Sequence, residues 1–153
     1  MVPEKIAINR IKLSGRLQAL RVSGNAQRAL GARLCRLLGV AGINIAFATM
    51  GTAHSDCECL CCIADQDLQR AKAVIDRDQE LEPVLNFLPA VGLVGLFPHQ
   101  HRFPVFGLAL KALAEQHIKV HGLASSISAL SFVIDFERMP DAADALTRYF
   151  QKM

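Results

Sequence analysis

The chain contains no tryptophan and a single tyrosine, so aromatic residues make up only 6% of its 153 positions. Proteins that bind single-stranded nucleic acid stack the bases on aromatic side chains along a basic groove. In this sequence the lysines and arginines are scattered, and the formal net charge at neutral pH is only +3. The composition therefore argues against a nucleic-acid partner.

The chain also lacks an apolar run long enough to cross a membrane. The longest run, Val84 to Phe97, is interrupted by Asn86 and Pro89, whereas a spanning helix needs roughly 20 apolar residues. No apolar stretch of a secretory signal follows the first five residues. We therefore expect a cytoplasmic protein with no membrane partner, in which the five cysteines remain free thiols.

The spacing of apolar residues predicts the same order of elements in both halves of the chain: strand, helix, strand, strand, helix. The last helix is predicted to begin near Pro140 and to include Phe150. Two further strands, Ile6 to Leu13 and Val84 to Leu88, are left over, and each could complete a sheet. Short strands in this order are typical of split βαβ modules of the ferredoxin-like kind.

Several segments resemble one family. Residues Ala32 to Ile45 are similar to the helix-to-strand passage of ACT domains. The second half resembles the second ACT module of aspartokinases at Ala90 to Gly95, Leu113 to Val120 and Ser125 to Val133. The tail from Asp141 to Phe150 is similar to the way those modules close. The resemblance covers nearly the whole chain in order, and implies the tandem-ACT regulatory region of an aspartokinase without its kinase domain.

The resemblance implies an α+β fold of two ferredoxin-like βαββαβ modules, each an antiparallel sheet with helices on one face. We expect the first module at residues 14–82 and the second at residues 83–153, with a strand in residues 5–13 joining the second sheet. The implied function is that of a free-standing, amino-acid-sensing regulatory protein. No acid pair, nucleophile elbow or glycine-rich phosphate loop is present, so we expect no enzyme activity and no catalytic residues.

The candidate ligand site departs from the family pattern. Amino-acid-binding ACT modules usually carry an acidic residue and then Pro-Gly between the first strand and the first helix, which lets backbone N–H groups approach a carboxylate. Here Arg28 and Ala29 stand where Pro-Gly would fall, and Ala46 stands where an acid is common. Such a loop suits an anionic ligand, or none. The candidate ligand-binding residues are Asn25, Ala26, Gln27, Arg28, Ala29, Asn44, Ala46, Lys119 and Val120.

The segment from His54 to Cys62 holds four cysteines and one histidine in nine residues. These residues could bind Zn or Cu(I), so a metal- or thiol-responsive protein is the alternative function. However, alternate strand positions lie about 6.5–7 Å apart, and this spreads the sulfurs of Cys57, Cys59 and Cys61. We expect buried thiols with no metal and no cofactor, and Cys35 packed in the core.

Two further expectations concern partners. Strands at Cys57 to Ala64 and Ser131 to Phe136 are predicted to be unprotected sheet edges, and the resemblance also implies a homodimer. A second loop places His99 and His101 beside Arg102, either in solvent or in contact with an anionic ligand. A third hypothesis is an adaptor that binds a partner protein and no small ligand.

Overall fold

The computed structural model describes residues 4–97 and 103–152. Within those residues the strands are β1 (Ile6–Ile8), β2 (Arg10–Leu13), β3 (Leu17–Asn25), β4 (Ile45–Ala53), β5 (Asp56–Ala64), β6 (Leu85–Phe87), β7 (Val91–Phe97), β8 (Val120–Ser125), β9 (Leu130–Asp135) and β10 (Phe150–Lys152). The α-helices are α1 (Leu30–Val40), α2 (Leu68–Ile75), α3 (Phe103–Glu115) and α4 (Met139–Thr147). No helix among these is long and apolar enough to cross a membrane.

The chain divides into two compact units. A contiguous unit comprises Arg16–Ala90, and a split unit combines Met1–Gly15 with Val91–Met153. The boundary after residue 90, rather than after residue 82, follows from the pairing of β6. This strand runs antiparallel to β3, with Leu20 opposite Phe87, so residues 83–90 belong with the first module and not with the second.

The contiguous unit is one antiparallel sheet in the order β4-β5-β3-β6. The longest pairing joins β3 to β5 over nine residues, from Leu17 opposite Ala64 to Asn25 opposite Asp56. Helix α1 connects β3 to β4, and helix α2 connects β5 to β6. This βαββαβ order is the expected ferredoxin-like module.

Both helices of the contiguous unit cover the same face of its sheet. Leu30, Leu34 and Leu38 recur every four residues along α1, which places them on one side of the helix. The buried cluster that they form includes Leu20 and Val22 of β3, Cys59, Cys61 and Ile63 of β5, and Ala71 and Ile75 of α2. Burial of each leucine side chain contributes about 1.5–3 kcal/mol, so this face holds the module together.

The sheet of the split unit runs in the order β2-β7-β9-β8, again antiparallel. Here the fourth strand is β2, from the beginning of the described chain, and it pairs with β7 from Arg10 opposite Phe97 to Leu13 opposite Val94. Helices α3 and α4 pack with this sheet around a second buried cluster. The expected fold class, two ferredoxin-like modules with helices on one face, is confirmed.

Three sequence expectations about strands were wrong. The run Ile6 to Leu13 is two strands, because β1 pairs in parallel with β10 whereas β2 pairs with β7. The last helix ends at Thr147, and Phe150 begins β10. The supposed edge strands at Cys57 to Ala64 and Ser131 to Phe136 are interior, since β5 lies between β4 and β3, and β9 between β7 and β8.

Candidate functional site

A cleft of about 270 Å³ opens in the contiguous unit where β3 passes into α1. We call it the α1 cleft. Its wall is formed by the end of β3, the first turn of α1 and the hairpin of β4 and β5. The lining residues are Val22, Gly24, Asn25, Ala26, Ala29, Leu30, Gly31, Ala32, Met50, Thr52, Cys57 and Cys59. Most of these side chains are small or apolar, so polar recognition here depends on the backbone, on Asn25 and Thr52, and on groups at the rim.

The connection between β3 and α1 is held in a defined shape. The Asn25 side-chain oxygen accepts a hydrogen bond from the Gln27 N–H at 2.9 Å, and the Ala26 N–H donates to the Ser55 carbonyl at 2.7 Å. Ala29 then has φ +50°, a left-handed conformation that costs a non-glycine residue roughly 1–2 kcal/mol. The alanine thus holds the backbone conformation that glycine would adopt freely, at the position where the ACT pattern has glycine.

No side chain caps the start of α1, because its capping residue is Ala29. The N–H groups of the first helical turn point away from the helix without intrahelical acceptors, and carry partial positive charge. Arg33 N–H is already bonded to the Ala29 carbonyl. The open end of α1 therefore offers backbone donors to a group in the cleft.

Two glycines determine how closely the walls approach. A Cβ atom on Gly31 would lie 2.6 Å from the Met50 Cε and 3.1 Å from the Cys59 Cβ. A Cβ atom on Gly24 would lie 2.7 Å from the Leu30 Cδ1 and 3.6 Å from the Arg28 Nη1. The guanidinium of Arg28 therefore lies over Gly24, which places a positive charge at the rim of the cleft.

The structure brings only part of the predicted site together. Asn25, Ala26 and Ala29 line the α1 cleft, Arg28 lies at its rim, and Gln27 is exposed beside it. The remaining predicted residues do not line it. Asn44 and Ala46 are exposed at the start of β4, whereas the part of β4 that lines the cleft is its other end, with Met50 and Thr52. Lys119 and Val120 belong to the split unit. His99, His101 and Arg102 lie outside the described residues.

Sequence reasoning missed several residues that complete the cleft. Gly31 lines it from the helix, Met50 and Thr52 from β4, and Cys57 and Cys59 from β5. The hairpin supplied a signal, because a turn near His54 and Ser55 places Met50 opposite Cys59 and Thr52 opposite Cys57. The contribution of Gly31 depends on how α1 lies across the sheet, which periodicity does not define.

Three thiols meet beneath the α1 cleft. The sulfurs of Cys35, Cys59 and Cys61 all lie within 4.8 Å of one another. Cys61 Sγ is 3.8 Å from Cys59 Sγ and 3.9 Å from Cys35 Sγ. The expected separation of Cys59 from Cys61 is therefore wrong, because their side chains lean toward each other. Cys57 is half-buried and Cys62 is buried, and neither joins this three-thiol cluster.

The thiols of the cluster differ in acidity. A hydrogen bond with Cys61 lowers the pKa of Cys59 to about 7, against the opposing effect of burial. The same hydrogen bond, together with burial, raises the pKa of Cys61 far above its usual range. For Cys62, which lies outside the cluster, burial alone raises the pKa to about 12. Cys59 thus ionises before Cys61, and it is also the thiol of the cluster that lines the cleft.

Comparison with solved structures identifies close likenesses of fold. The regulatory subunit of aspartate kinase from Thermus flavus superposes with a TM-score of 0.79 at 17% identity, over 94% of this chain and 99% of that one. The ligand-free regulatory subunit from Thermus thermophilus gives a TM-score of 0.80 at 17% identity, over 95% and 100%. Escherichia coli aspartokinase III in complex with lysine and aspartate gives 0.64 at 14% identity, over 94% of this chain and 33% of that one.

At these identities the likeness establishes the fold. The first two structures, each a regulatory subunit of aspartate kinase, match this chain over nearly their whole length, so the expected resemblance to aspartokinase regulatory regions is confirmed. No protein-family model matches the chain, and no curated protein matches it in sequence.

Proposed function

We propose that this chain is a regulatory protein that binds a small carboxylate-bearing or otherwise anionic molecule in the α1 cleft. The observation that carries the proposal is the connection from Asn25 to Ala29. It keeps a left-handed residue just before α1, with an uncapped helix start behind it and an arginine over the rim. These features favour negative charge at the mouth of the cleft.

The chemistry of the cleft suits an anionic ligand better than an amino-acid zwitterion. Backbone donors at a helix N-terminus attract a carboxylate or phosphate, and the guanidinium of Arg28 adds a second, charge-assisted donor. Among the residues that line the cleft there is no aspartate or glutamate to receive an ammonium group. Because aspartokinase III was solved with lysine and aspartate, amino acids are nevertheless the first ligands to test, followed by dicarboxylates and phosphates.

We propose that binding, not catalysis, is the role of this site. Cys57 and Cys59 are the only ionisable side chains among the residues that line the cleft. Neither has a histidine or carboxylate partner among the described hydrogen bonds, so no general acid or base is in place for a bound ligand.

A thermal-shift screen of the purified chain tests the proposal, since a ligand that binds only the folded state raises the melting temperature. Once a ligand is found, Arg28→Ala should weaken it roughly tenfold or more, because a hydrogen bond to a charged group contributes about 1.5–3 kcal/mol. Arg36→Ala is the matched control, since Arg36 is also exposed but lies on α1 away from the cleft lining. Equal effects of the two variants, or no shift with any amino acid or organic anion, would contradict the proposal.

We propose further that the chain forms a homodimer through its edge strands. Strand β4 is an outer strand of the sheet in the contiguous unit, and β8 is an outer strand of the sheet in the split unit. Each presents an exposed apolar side chain, Met50 at 57% and Leu123 at 36%. Unpaired edges of this kind favour pairing with a second copy. Sedimentation equilibrium should give twice the chain mass of 16.7 kDa; a monomer at micromolar concentration would rule the dimer out.

A further inference from the structure

We propose that Cys35, Cys59 and Cys61 form a three-coordinate binding site for Cu(I). The site combines one residue of helix α1 with two of strand β5, so it exists only in the folded module. It differs from the run of cysteines that the sequence displays, because Cys57 and Cys62 are left out and Cys35, 22 residues before Cys57, is brought in.

The spacing of the sulfurs fits one shared ion. An ion equidistant from three sulfurs, with bonds of about 2.3 Å, holds those sulfurs about 4 Å apart when all four atoms lie in one plane. The distances from Cys61 Sγ are 3.8 Å to Cys59 and 3.9 Å to Cys35, and the third pair lies within 4.8 Å. Two of the three separations therefore match the planar arrangement, and the third exceeds it by at most about 0.8 Å.

The donor set selects the metal. Thiolates are soft ligands, and both Cu(I) and zinc bind to them. Structural zinc takes four ligands in a tetrahedron, but within residues 4–97 and 103–152 no histidine or carboxylate joins these three cysteines. A site of three sulfurs and nothing else therefore suits Cu(I) better than zinc.

An ion can reach the site through the α1 cleft. Cys59 lines the cleft and also belongs to the cluster, so its sulfur can receive the ion from solvent. The ion then contacts Cys61 and Cys35, which are respectively fully and partly buried. Coordination replaces the thiol protons, which leave to solvent, and no change of oxidation state is needed when copper is supplied as Cu(I).

The test is a Cu(I) titration of the reduced full chain without oxygen, in competition with a chromogenic Cu(I) chelator. We expect one Cu(I) per chain, with thiolate-to-copper charge-transfer absorption and a rise in melting temperature. Cys35→Ser, Cys59→Ser and Cys61→Ser should each weaken binding by roughly 100-fold or more, since even outer-sphere partners contribute 10–100-fold. Cys62→Ala is the matched control, since Cys62 belongs neither to the cluster nor to the cleft lining, and it should bind as the unmodified chain does.

Two results would overturn the proposal: Cys35→Ser binds Cu(I) as tightly as the unmodified chain, or Cys62→Ala loses as much Cu(I) affinity as the variants of the three cluster cysteines. X-ray absorption at the copper edge of the unmodified chain gives a measurement independent of whether any variant folds. It should show three sulfur neighbours, and a nitrogen or oxygen neighbour, or Zn(II) binding tighter than Cu(I), would contradict the assignment. If the three cysteines only pack together in the core, the chain will bind no copper, and this result too would overturn the proposal. Cys61 does not line the cleft, so loss of copper in Cys61→Ser with ligand binding intact separates this site from the proposed ligand site.

Discussion

Replacing Gly31 by alanine tests whether the helix start is as close to the sheet as the structure indicates. Alanine is favoured over glycine inside a helix by about 1 kcal/mol. Against this gain, the new methyl group would lie 2.6 Å from Met50 Cε and 3.1 Å from Cys59 Cβ. Met50 is exposed and can swing aside, but Cys59 is buried on the central strand β5. Overpacking of this kind costs about 1–3 kcal/mol, so Gly31→Ala should destabilise the protein by between about zero and 2 kcal/mol.

Helix α1 offers its own control at Gly39, one residue from the other end of the helix. A Cβ atom there meets nothing within 4 Å, so Gly39→Ala should stabilise by up to about 1 kcal/mol. The two variants share the propensity gain, and their difference of about 1–3 kcal/mol isolates the contact. Urea denaturation followed by circular dichroism measures both midpoints. If both variants shift the midpoint upward by the same amount, the close packing of α1 on β5 is refuted.

Two further predictions concern other parts of the chain. His117 has φ +53° and follows α3 in a Schellman turn, in which its N–H donates to the Ala114 carbonyl and the Ile118 N–H donates to the Leu113 carbonyl. Glycine suits this left-handed position, so His117→Gly should raise the free energy of unfolding by roughly 0.5–1 kcal/mol; a lower urea midpoint for this variant would contradict the assigned turn. Burial raises the pKa of Asp78, but hydrogen bonds from Leu81 N–H and from Arg33 outweigh this and hold the pKa below its ordinary value. A depressed carboxyl pKa stabilises the fold above the unfolded value of about 3.9 and loses that contribution as the pH falls through the folded value. Stability should therefore fall more steeply below about pH 4 in the unmodified chain than in Asp78→Asn, and parallel pH profiles would show that this carboxyl is not linked to folding.

The order of the elements could be predicted because the helices bury apolar side chains at helical spacing and the long strands contain runs of buried apolar residues. Leu30, Leu34 and Leu38 show the helical period, and the buried run of β5 shows a strand. The strands that sequence reasoning misplaced are short, like β6 and β10 with three residues each. Their identity depends on a partner far along the chain, which local periodicity does not show.

The candidate site could also be predicted only in part. The loop from Asn25 to Ala29 could be located because it joins a clear strand to a clear helix. The role of Cys35 could not, because its contact with Cys61 depends on the rotation and height of α1 above the sheet. A shift of one residue along α1 turns a side chain by about 100° and would remove it from the cluster.

The pairing of β2 with β7 has a consequence for the order in which the chain folds during synthesis. The contiguous unit draws all its strands from one stretch, so it can complete its sheet as soon as Ala90 has left the ribosome. Strand β2 is made before that unit but has no partner until Val91–Phe97 follows, an interval of roughly 80 residues, or about 4–16 s at 5–20 residues per second. Strand β1 waits longer still, because its partner is β10. Strands β1 and β2 are thus made before the contiguous unit but paired after it, and during that interval their edges are open to chaperones or to a neighbouring nascent chain.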